Sequence, residues 1–160
     1  MIRLDPMDET GYKEFLARGI PRLAEMTVRR GLWSRQGALE ASQEVYAALL
    51  PQGLATPHFR LRVLVDGSSN TQVGEVMYKV EERGGKVEFS IEWIWVDPAR
   101  RRQGYATQAL LMLEDEARRV GADRTRLFVW MDNPEAIALY SKLGYSTISM
   151  GMSKSLHRGP

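Results

Sequence analysis

Residues 93–106 read Trp93-Ile94-Trp95-Val96-Asp97-Pro98-Ala99-Arg100-Arg101-Arg102-Gln103-Gly104-Tyr105-Ala106. The apolar start predicts a buried strand, and the spacing of apolar residues further on predicts a helix that begins near Thr107. A basic turn between a strand and a helix N-terminus suits a phosphate group, because the free amides of the first helical turn and the helix dipole both favour an anion. Gly104 lets the backbone approach such a ligand closely, since it has no Cβ. The alternative is an ordinary helix start with solvated arginines.

Composition narrows the classes of function. The chain of 160 residues has the usual size of one domain and contains no cysteine, which excludes disulfides, thiolate metal ligands and a cysteine nucleophile. Its two histidines, His58 and His157, lie far apart in sequence, so we expect no metal site. The net charge of +2 is not that of a dedicated nucleic-acid binder. Without a membrane-spanning stretch or an apolar signal region, we expect a cytoplasmic protein with no membrane or nucleic-acid partner.

The predicted order of elements is β-α-α-β-β-β-α-β-α-β, an antiparallel meander that leads into a βαβ unit. This order is typical of a mixed α/β sheet in a single domain, residues 1–160. Asp8 or Thr10 can cap a first helix, which Pro21 should kink or split, and Ser34 can cap a second helix over about 36–50. Residues 127–130 predict a buried strand, and residues 145–156 predict one or two final strands. Between them, Asn133 can cap a helix that has Pro134 at its first position.

The strand that leads to the basic turn alternates from Lys86 onward. This alternation predicts one polar face and one apolar face up to the turn, where Ile94 and Val96 make the polar face apolar too. The polar face carries Lys86, Glu88, Ser90 and Glu92, and the apolar face carries Val87, Phe89, Ile91, Trp93 and Trp95.

A second motif follows at residues 133–145, Asn133-Pro134-Glu135-Ala136-Ile137-Ala138-Leu139-Tyr140-Ser141-Lys142-Leu143-Gly144-Tyr145. Together with Val96-Asp97-Pro98 and Arg101-x-x-Gly104-x-Ala106, it resembles the GNAT superfamily of acyl-CoA-dependent N-acyltransferases, including a small bacterial branch of it. The resemblance is specific over residues 86–156 and weaker before them. It implies a mixed, mostly antiparallel sheet of about six to seven strands, about four flanking helices and a splayed parallel strand pair.

The resemblance also implies a cofactor, acetyl-CoA, with CoA as product. The cofactor's pantetheine arm would pair with Ile94, Trp95 and Val96, between splayed strands at 94–96 and 128–130. Asn133 and Ala136 would lie beside the cofactor, and Tyr140 would contact it near the thioester sulfur. Its pyrophosphate would bind the turn and helix start, which comprise Arg101, Arg102, Gln103, Gly104, Tyr105, Ala106 and Thr107.

Amide formation from a thioester also needs an oxyanion site, a base and an acid. A free backbone N–H near Trp95 or Val96 can donate to the thioester carbonyl. Either Glu88 or Glu92 can act as general base; alternatively, both are solvated cross-strand charges. Tyr140 lies on the helix face of Asn133 and Ala136 and can protonate the leaving thiolate; alternatively, it is a core residue. Because no acyl-cysteine can form, we expect direct attack in a ternary complex.

The sequence leaves the acceptor open between an amine-bearing small molecule and a peptide. Trp33 and His58 are candidate acceptor contacts, although each also fits a structural role. The short segment 145–156 leaves little room for a loop over the acceptor, so we expect a homodimer formed through the C-terminal strands. The alternative function is a catalytically silent module that senses acyl-CoA.

Overall fold

The computed structural model describes residues 1–154 and 156, which group into two compact units, Met1–Phe128 and the residues from Val129 on. The second unit contains one helix, α4 (Pro134–Lys142). The first unit contains, in chain order, β1 (Ile2–Pro6), α1 (Glu9–Arg29), α2 (Ala38–Leu49), β2 (Phe59–Asp66), β3 (Thr71–Arg83), β4 (Lys86–Val96), α3 (Tyr105–Arg119) and β5 (Ala122–Leu127), with short 3₁₀ helices at Gly53–Ala55 and Pro98–Arg100.

The strands form one mixed sheet in the order β1-β2-β3-β4-β5. The first four strands are antiparallel to their neighbours, and β5 runs parallel to β4. The predicted mixed α/β architecture with a parallel pair is therefore confirmed. Among the residues that the structure describes, the sheet has five strands rather than six or seven.

The predicted C-terminal strands are absent from residues 145–154 and 156, and the rest of that prediction falls on residues outside the described ones. Ile148, Met150 and Met152 alternate as they would in a strand, but their side chains are 71%, 68% and 92% exposed. An alternating pattern produces a strand only when a neighbouring strand takes up its backbone hydrogen bonds.

The two N-terminal helices build a core against one face of the sheet. Phe15 of α1 is fully buried and packs edge-on against Tyr46 of α2 and Trp93 of β4, with ring centroids 5.8 and 6.0 Å apart. Leu61 of β2 and Met77 of β3 complete the cluster. The same face of the sheet therefore carries Met77 and Trp93.

Three local predictions for these helices have mixed outcomes. Asp8 caps α1 by accepting a hydrogen bond from the Gly11 amide at 2.8 Å, as expected. Pro21 does not split α1, which runs through it, because burial on either side outweighs the one lost backbone hydrogen bond. Ser34 does not cap α2; its hydroxyl donates to the Gln36 carbonyl, and the helix starts after Gly37, whose φ is 81°.

The opposite face of the sheet packs against α3. Phe89 of β4 is fully buried and stacks on Tyr78 of β3, with ring centroids 5.0 Å apart. The apolar side of α3 contributes three fully buried side chains, Ala109, Leu110 and Leu113. Because side chains alternate along β3, Tyr78 lies on the face opposite Met77.

A β-bulge at Glu92 overturns the predicted faces of β4. Met77 pairs with Trp93, but the next β3 residue, Tyr78, pairs with Ile91, so Glu92 is the extra residue on β4. Trp93 and Trp95 therefore face α1, whereas Phe89 and Ile91 face α3, and the prediction of one shared face was wrong. A period of two in the sequence does not show where a strand carries one residue more than its partner.

The predicted buried strand at residues 127–130 is also misplaced. The strand is β5, which ends at Leu127, and the Phe128 side chain is 76% exposed. Among the described residues, β5 lies at the edge of the sheet with only β4 as a neighbour, and its sequence is mostly polar. Apolar runs indicate interior strands, so a half-exposed edge strand gives little signal.

Candidate active site

The sheet opens between its two parallel strands. The β4–β5 ladder runs from the pair Val87 and Ala122 to the pair Ile91 and Leu127. β4 then continues to Val96 while it pairs with β3 alone. Among the described residues, the β5 side of β4 thus has no strand partner beyond Ile91, and the opening starts at the Glu92 bulge.

Two contacts show which backbone groups of β4 face the opening. The Asp97 amide donates to the Val73 carbonyl of β3 at 2.9 Å, and a Cβ added to Gly74 would clash with the Trp95 carbonyl oxygen. Trp95 and Asp97 therefore direct their polar groups at β3. Since a strand alternates sides with each residue, Ile94 and Val96 direct theirs at the opening.

The opening offers both a donor and acceptors. Arg101 donates from Nε to the Val96 carbonyl at 3.2 Å, which holds the basic turn against the end of β4. The Val96 amide points the same way as that carbonyl, so it is Val96, not Trp95, that presents an N–H at this edge. An extended ligand could pair with Ile94 and Val96 as a substitute strand.

The basic turn leads directly into the N-terminus of α3. The helix begins at Tyr105, two residues before the predicted start, and Gly104 precedes it with φ at 81°. Gly104 provides no side-chain cap, and the first α-helical bond is from the Gln108 amide to the Gly104 carbonyl. The amides of residues 105–107 therefore stand at the positive end of a 15-residue helix without a capping side chain.

The turn itself keeps the arginines at the surface. Asp97 accepts a hydrogen bond from the Ala99 amide at 2.9 Å and caps the short 3₁₀ helix. Arg102 has a left-handed backbone conformation, with φ at 62°. Arg100, Arg101, Arg102 and Gln103 are all exposed, so their positive charge surrounds the amides of the α3 start.

Tyr105 anchors the start of α3. Its side chain is buried, and its hydroxyl donates to Asp66 at the end of β2 over 3.2 Å. Hydrogen bonds from the amide and hydroxyl of Ser68, with smaller contributions from Ser69 and Tyr105, lower the pKa of Asp66 to about 2. Of the predicted cofactor contacts, Tyr105 therefore offers its amide rather than its ring.

The two candidate bases have different surroundings. Glu92 is exposed at the bulge, where the opening starts, and accepts a hydrogen bond from the Ser90 hydroxyl at 2.6 Å. Glu88 lies 3.7 Å from Arg126 of β5, and its side chain is 37% exposed. Since a strand rises about 3.3 Å per residue, Glu88 is about 13 Å further from the opening than Glu92.

Glu92 also lines a pocket of about 190 Å³ between α1, α2 and the sheet. The other lining residues are mostly apolar and comprise Arg22, Leu23, Met26, Val45, Tyr46, Leu49, Met77 and Trp93. Burial raises the pKa of Tyr46 to about 12, so its phenol is neutral at physiological pH. A molecule in this pocket would therefore meet one carboxylate, one guanidinium, one neutral phenol and otherwise apolar side chains.

Sequence reasoning missed a buried ion pair beside this pocket. Glu75 of β3 is fully buried and accepts two hydrogen bonds from Arg18 of α1, at 2.7 and 3.2 Å. The Trp93 indole donates to the same carboxylate at 3.3 Å, and the Arg18 guanidinium lies 4.3 Å from the centroid of the Trp95 ring. The pair therefore ties α1 to the open part of β4. A glutamate among the apolar residues of β3 was the only signal in the sequence.

The remaining predicted residues lie on α4 of the second unit. The Asn133 side chain accepts a hydrogen bond from the Ala136 amide at 3.3 Å and caps the helix, with Pro134 at its first position as predicted. The Tyr140 ring lies 5.8 Å from that of Tyr145. Burial, and secondarily Tyr145, raises the pKa of Tyr140 above 10, so the phenol keeps its proton at physiological pH.

The two candidate acceptor contacts, Trp33 and His58, both take part in backbone hydrogen bonds of the first unit. Trp33 is half-buried in the loop after α1, where its amide donates to the Thr27 carbonyl. His58 precedes β2 with φ at 68°, and its carbonyl accepts a hydrogen bond from the Val80 amide. Neither residue lines the pocket at Glu92.

The motifs by which the sequence resembled one superfamily lie at the end of β4, in the basic turn and at residues 133–145. The profile of the acetyltransferase (GNAT) family matches residues 27–145. The chain belongs to this family. Membership supports an N-acetyltransferase activity, and GNAT acetyltransferases in general take the acyl group from acetyl-CoA.

Relatives of this GNAT chain agree with the assignment. It is 32% identical to YycN of Bacillus subtilis (strain 168), an uncharacterized N-acetyltransferase, over 97% of this chain and 99% of YycN. The crystal structure of YycN superimposes with a TM-score of 0.91 over 99% of this chain and 100% of that one. NAA20 of Arabidopsis thaliana, catalytic subunit of the N-terminal acetyltransferase B complex, is 35% identical over 51% of this chain and 48% of its own length.

Residues 1–154 and 156 hold no group of three or more His, Asp or Glu side chains that could bind a metal ion. None of the helices described is both long and apolar enough to cross a membrane.

Proposed function

We propose that the protein transfers an acetyl group from acetyl-CoA to a primary amine by direct attack within a ternary complex. The proposal depends above all on the end of β4, where the open edge at Ile94 and Val96 leads into the uncapped amides of residues 105–107. An extended arm paired with this edge would bring its pyrophosphate to those amides. Arg101, Arg102 and Gln103 add positive charge and donors beside them.

Within this arrangement, the Val96 amide is the candidate oxyanion donor. Its N–H is fixed by β4 and points into the opening, so it needs no reorganisation to donate to a thioester carbonyl as negative charge develops. Arg101 supports it, because the hydrogen bond to the Val96 carbonyl fixes the next peptide unit and so limits movement of the Val96 backbone.

We assign the general base to Glu92 rather than Glu88. Glu92 lies where the opening meets the pocket and can take the proton that the amine loses on attack, directly or through one water. Glu88 lies beside the paired part of the ladder and within 3.7 Å of Arg126.

We assign to Tyr140 the role of the acid that protonates the leaving thiolate. Its raised pKa keeps the phenol protonated, so it can donate when the carbon–sulfur bond breaks. Asn133 and Ala136, on the same helix, are the proposed cofactor contacts of the second unit.

The proposal is tested by CoA release from acetyl-CoA across a panel of amines, with Glu92→Gln and Glu88→Gln as a matched pair. Loss of a general base lowers rates by about 10²–10⁴-fold, and we expect such a loss for Glu92→Gln and a change below about twofold for Glu88→Gln. Equal rates in both variants, measured where chemistry limits turnover, would reject the assignment of the base. Tight binding of acetyl-CoA without CoA release to any amine would instead favour the acyl-CoA sensor.

A further inference from the structure

We infer that the acceptor is a primary amine attached to an apolar group, which the pocket between α1, α2 and β4 holds while Glu92 faces the amine. This inference rests on the proposed acetyltransferase function and names its substrate class. We base this inference on the composition, volume and charges of one pocket in the first unit.

The walls of the pocket select for apolar chemistry. Six of its lining side chains are apolar, namely Leu23, Met26, Val45, Leu49, Met77 and Trp93. The one neutral polar group is the Tyr46 hydroxyl, which points at α1, since a Cβ added to Gly19 would clash with it. A ligand rich in hydroxyl groups would therefore lose its water without gaining hydrogen bonds here.

The volume limits the size of the apolar group. The pocket is partly open to solvent and has a volume of about 190 Å³. A dry cavity of about 150 Å³ with similar walls holds benzene, so this pocket accommodates a group of roughly six to eight non-hydrogen atoms. A hexyl chain and the side chain of phenylalanine have this size, whereas a butyl chain and the side chains of leucine and methionine are smaller and fill only part of the pocket.

The charges orient the acceptor. The Glu92 carboxylate attracts the ammonium group and can then remove its proton, which places the reactive nitrogen at the mouth next to the opening in the sheet. The other charged group is Arg22, whose guanidinium lies 5.6 Å from the centroid of the Trp93 ring. Because Arg22 repels a second cation, the pocket disfavours diamines and polyamines.

The test measures kcat/KM for two acceptor series with acetyl-CoA. The first series runs from ethylamine to hexylamine, whose amines have nearly the same basicity, with 1,5-diaminopentane as the polar comparison. The second consists of peptides that differ only in a first residue of Gly, Ala, Leu, Met or Phe. We expect kcat/KM to rise about fourfold per methylene until the pocket is full. The series that shows the rise identifies the source of the amine as a small molecule or a protein N-terminus.

A pair of variants on α2 tests whether the rise of kcat/KM with chain length arises in this pocket. Val45 lines it and is 42% exposed, so Val45→Asp should fold normally while it places a charge in the wall. We expect this variant to lose the dependence on chain length. Leu39 is 47% exposed on the same helix and outside the pocket, so Leu39→Asp should keep the dependence.

The outcomes separate this inference from the function on which it rests. Turnover that prefers 1,5-diaminopentane or the Gly peptide, or that ignores apolar size in both series, would overturn the inference and leave the acetyltransferase standing. The same holds if Val45→Asp and Leu39→Asp behave alike. Absence of CoA release with every amine in both series would overturn the two together.

Discussion

Replacing Arg18 with methionine should destabilise the protein strongly, because it leaves a carboxylate buried without its cation. The Glu75 side chain is 1% exposed, and the Trp93 indole, at 3.3 Å, would be its only remaining donor among the hydrogen bonds described above. Breaking a buried pair by removing one partner costs about 3–5 kcal/mol. Arg18 is 29% exposed, so water screens part of the interaction and we expect the lower end, about 3 kcal/mol.

This loss can be measured by urea or thermal unfolding. For a chain of this length, 1 kcal/mol shifts Tm by about 2–4 °C, so Arg18→Met should lower Tm by about 6–12 °C. Arg22→Met is the matched control: Arg22 is an exposed arginine one turn further along α1 that contacts the Trp93 ring, and its loss should cost less than about 1 kcal/mol.

A double-mutant cycle isolates the pair. Glu75→Gln removes the charge but keeps an acceptor for the indole, so Arg18→Met should cost only about 1 kcal/mol in that background. An equal cost of Arg18→Met in both backgrounds, or a cost no larger than that of Arg22→Met, would refute the reasoning that this buried pair stabilises the fold.

Three further predictions follow from single contacts. Gly19→Ala places a Cβ against the Tyr46 hydroxyl and should lower stability by about 1–3 kcal/mol in thermal melts, although alanine favours helices; an increase in Tm would contradict the crowding. Tyr140→Phe should reduce CoA release at least about tenfold at pH 7–8 with CoA affinity unchanged in calorimetry, because a phenol with a raised pKa is the proposed acid; full activity would remove that role. The pKa of Asp66 falls from 3.8 to about 2 on folding, so its contribution to stability is present above pH 4 and is lost as the pH falls towards 2; Asp66→Asn should therefore be less stable than the wild type at pH 6, and the difference should vanish near pH 2 in urea titrations.

Features that depend on neighbouring residues in the chain were predictable from the sequence. Asp8 and Asn133 cap their helices as expected, because a cap is a hydrogen bond within three residues. The helix after the basic turn starts two residues before the position predicted from the sequence. The prediction came this close because Gly104 and the apolar spacing of α3 are both local signals.

Features that depend on distant partners were not predictable. The bulge at Glu92 arises from the register between β3 and β4, and it moves Trp93 and Trp95 to the other face without any change in the sequence pattern. Glu75 is buried because Arg18, 57 positions away in the chain, reaches it. Residues 145–154 alternate between apolar and polar side chains, but they form no strand because no described strand pairs with them.

The central claim is that the end of β4 and the start of α3 bind the pyrophosphate of an acyl-CoA. The most direct test is a titration of the ¹⁵N-labelled protein with CoA, followed by the amide signals of Gly104, Tyr105, Ala106 and Thr107, and repeated with pantetheine, which lacks the pyrophosphate. We predict that CoA shifts these four signals and the Val96 amide, whereas pantetheine leaves the four unchanged. A folded protein whose signals at residues 104–107 do not respond to saturating CoA would contradict the account.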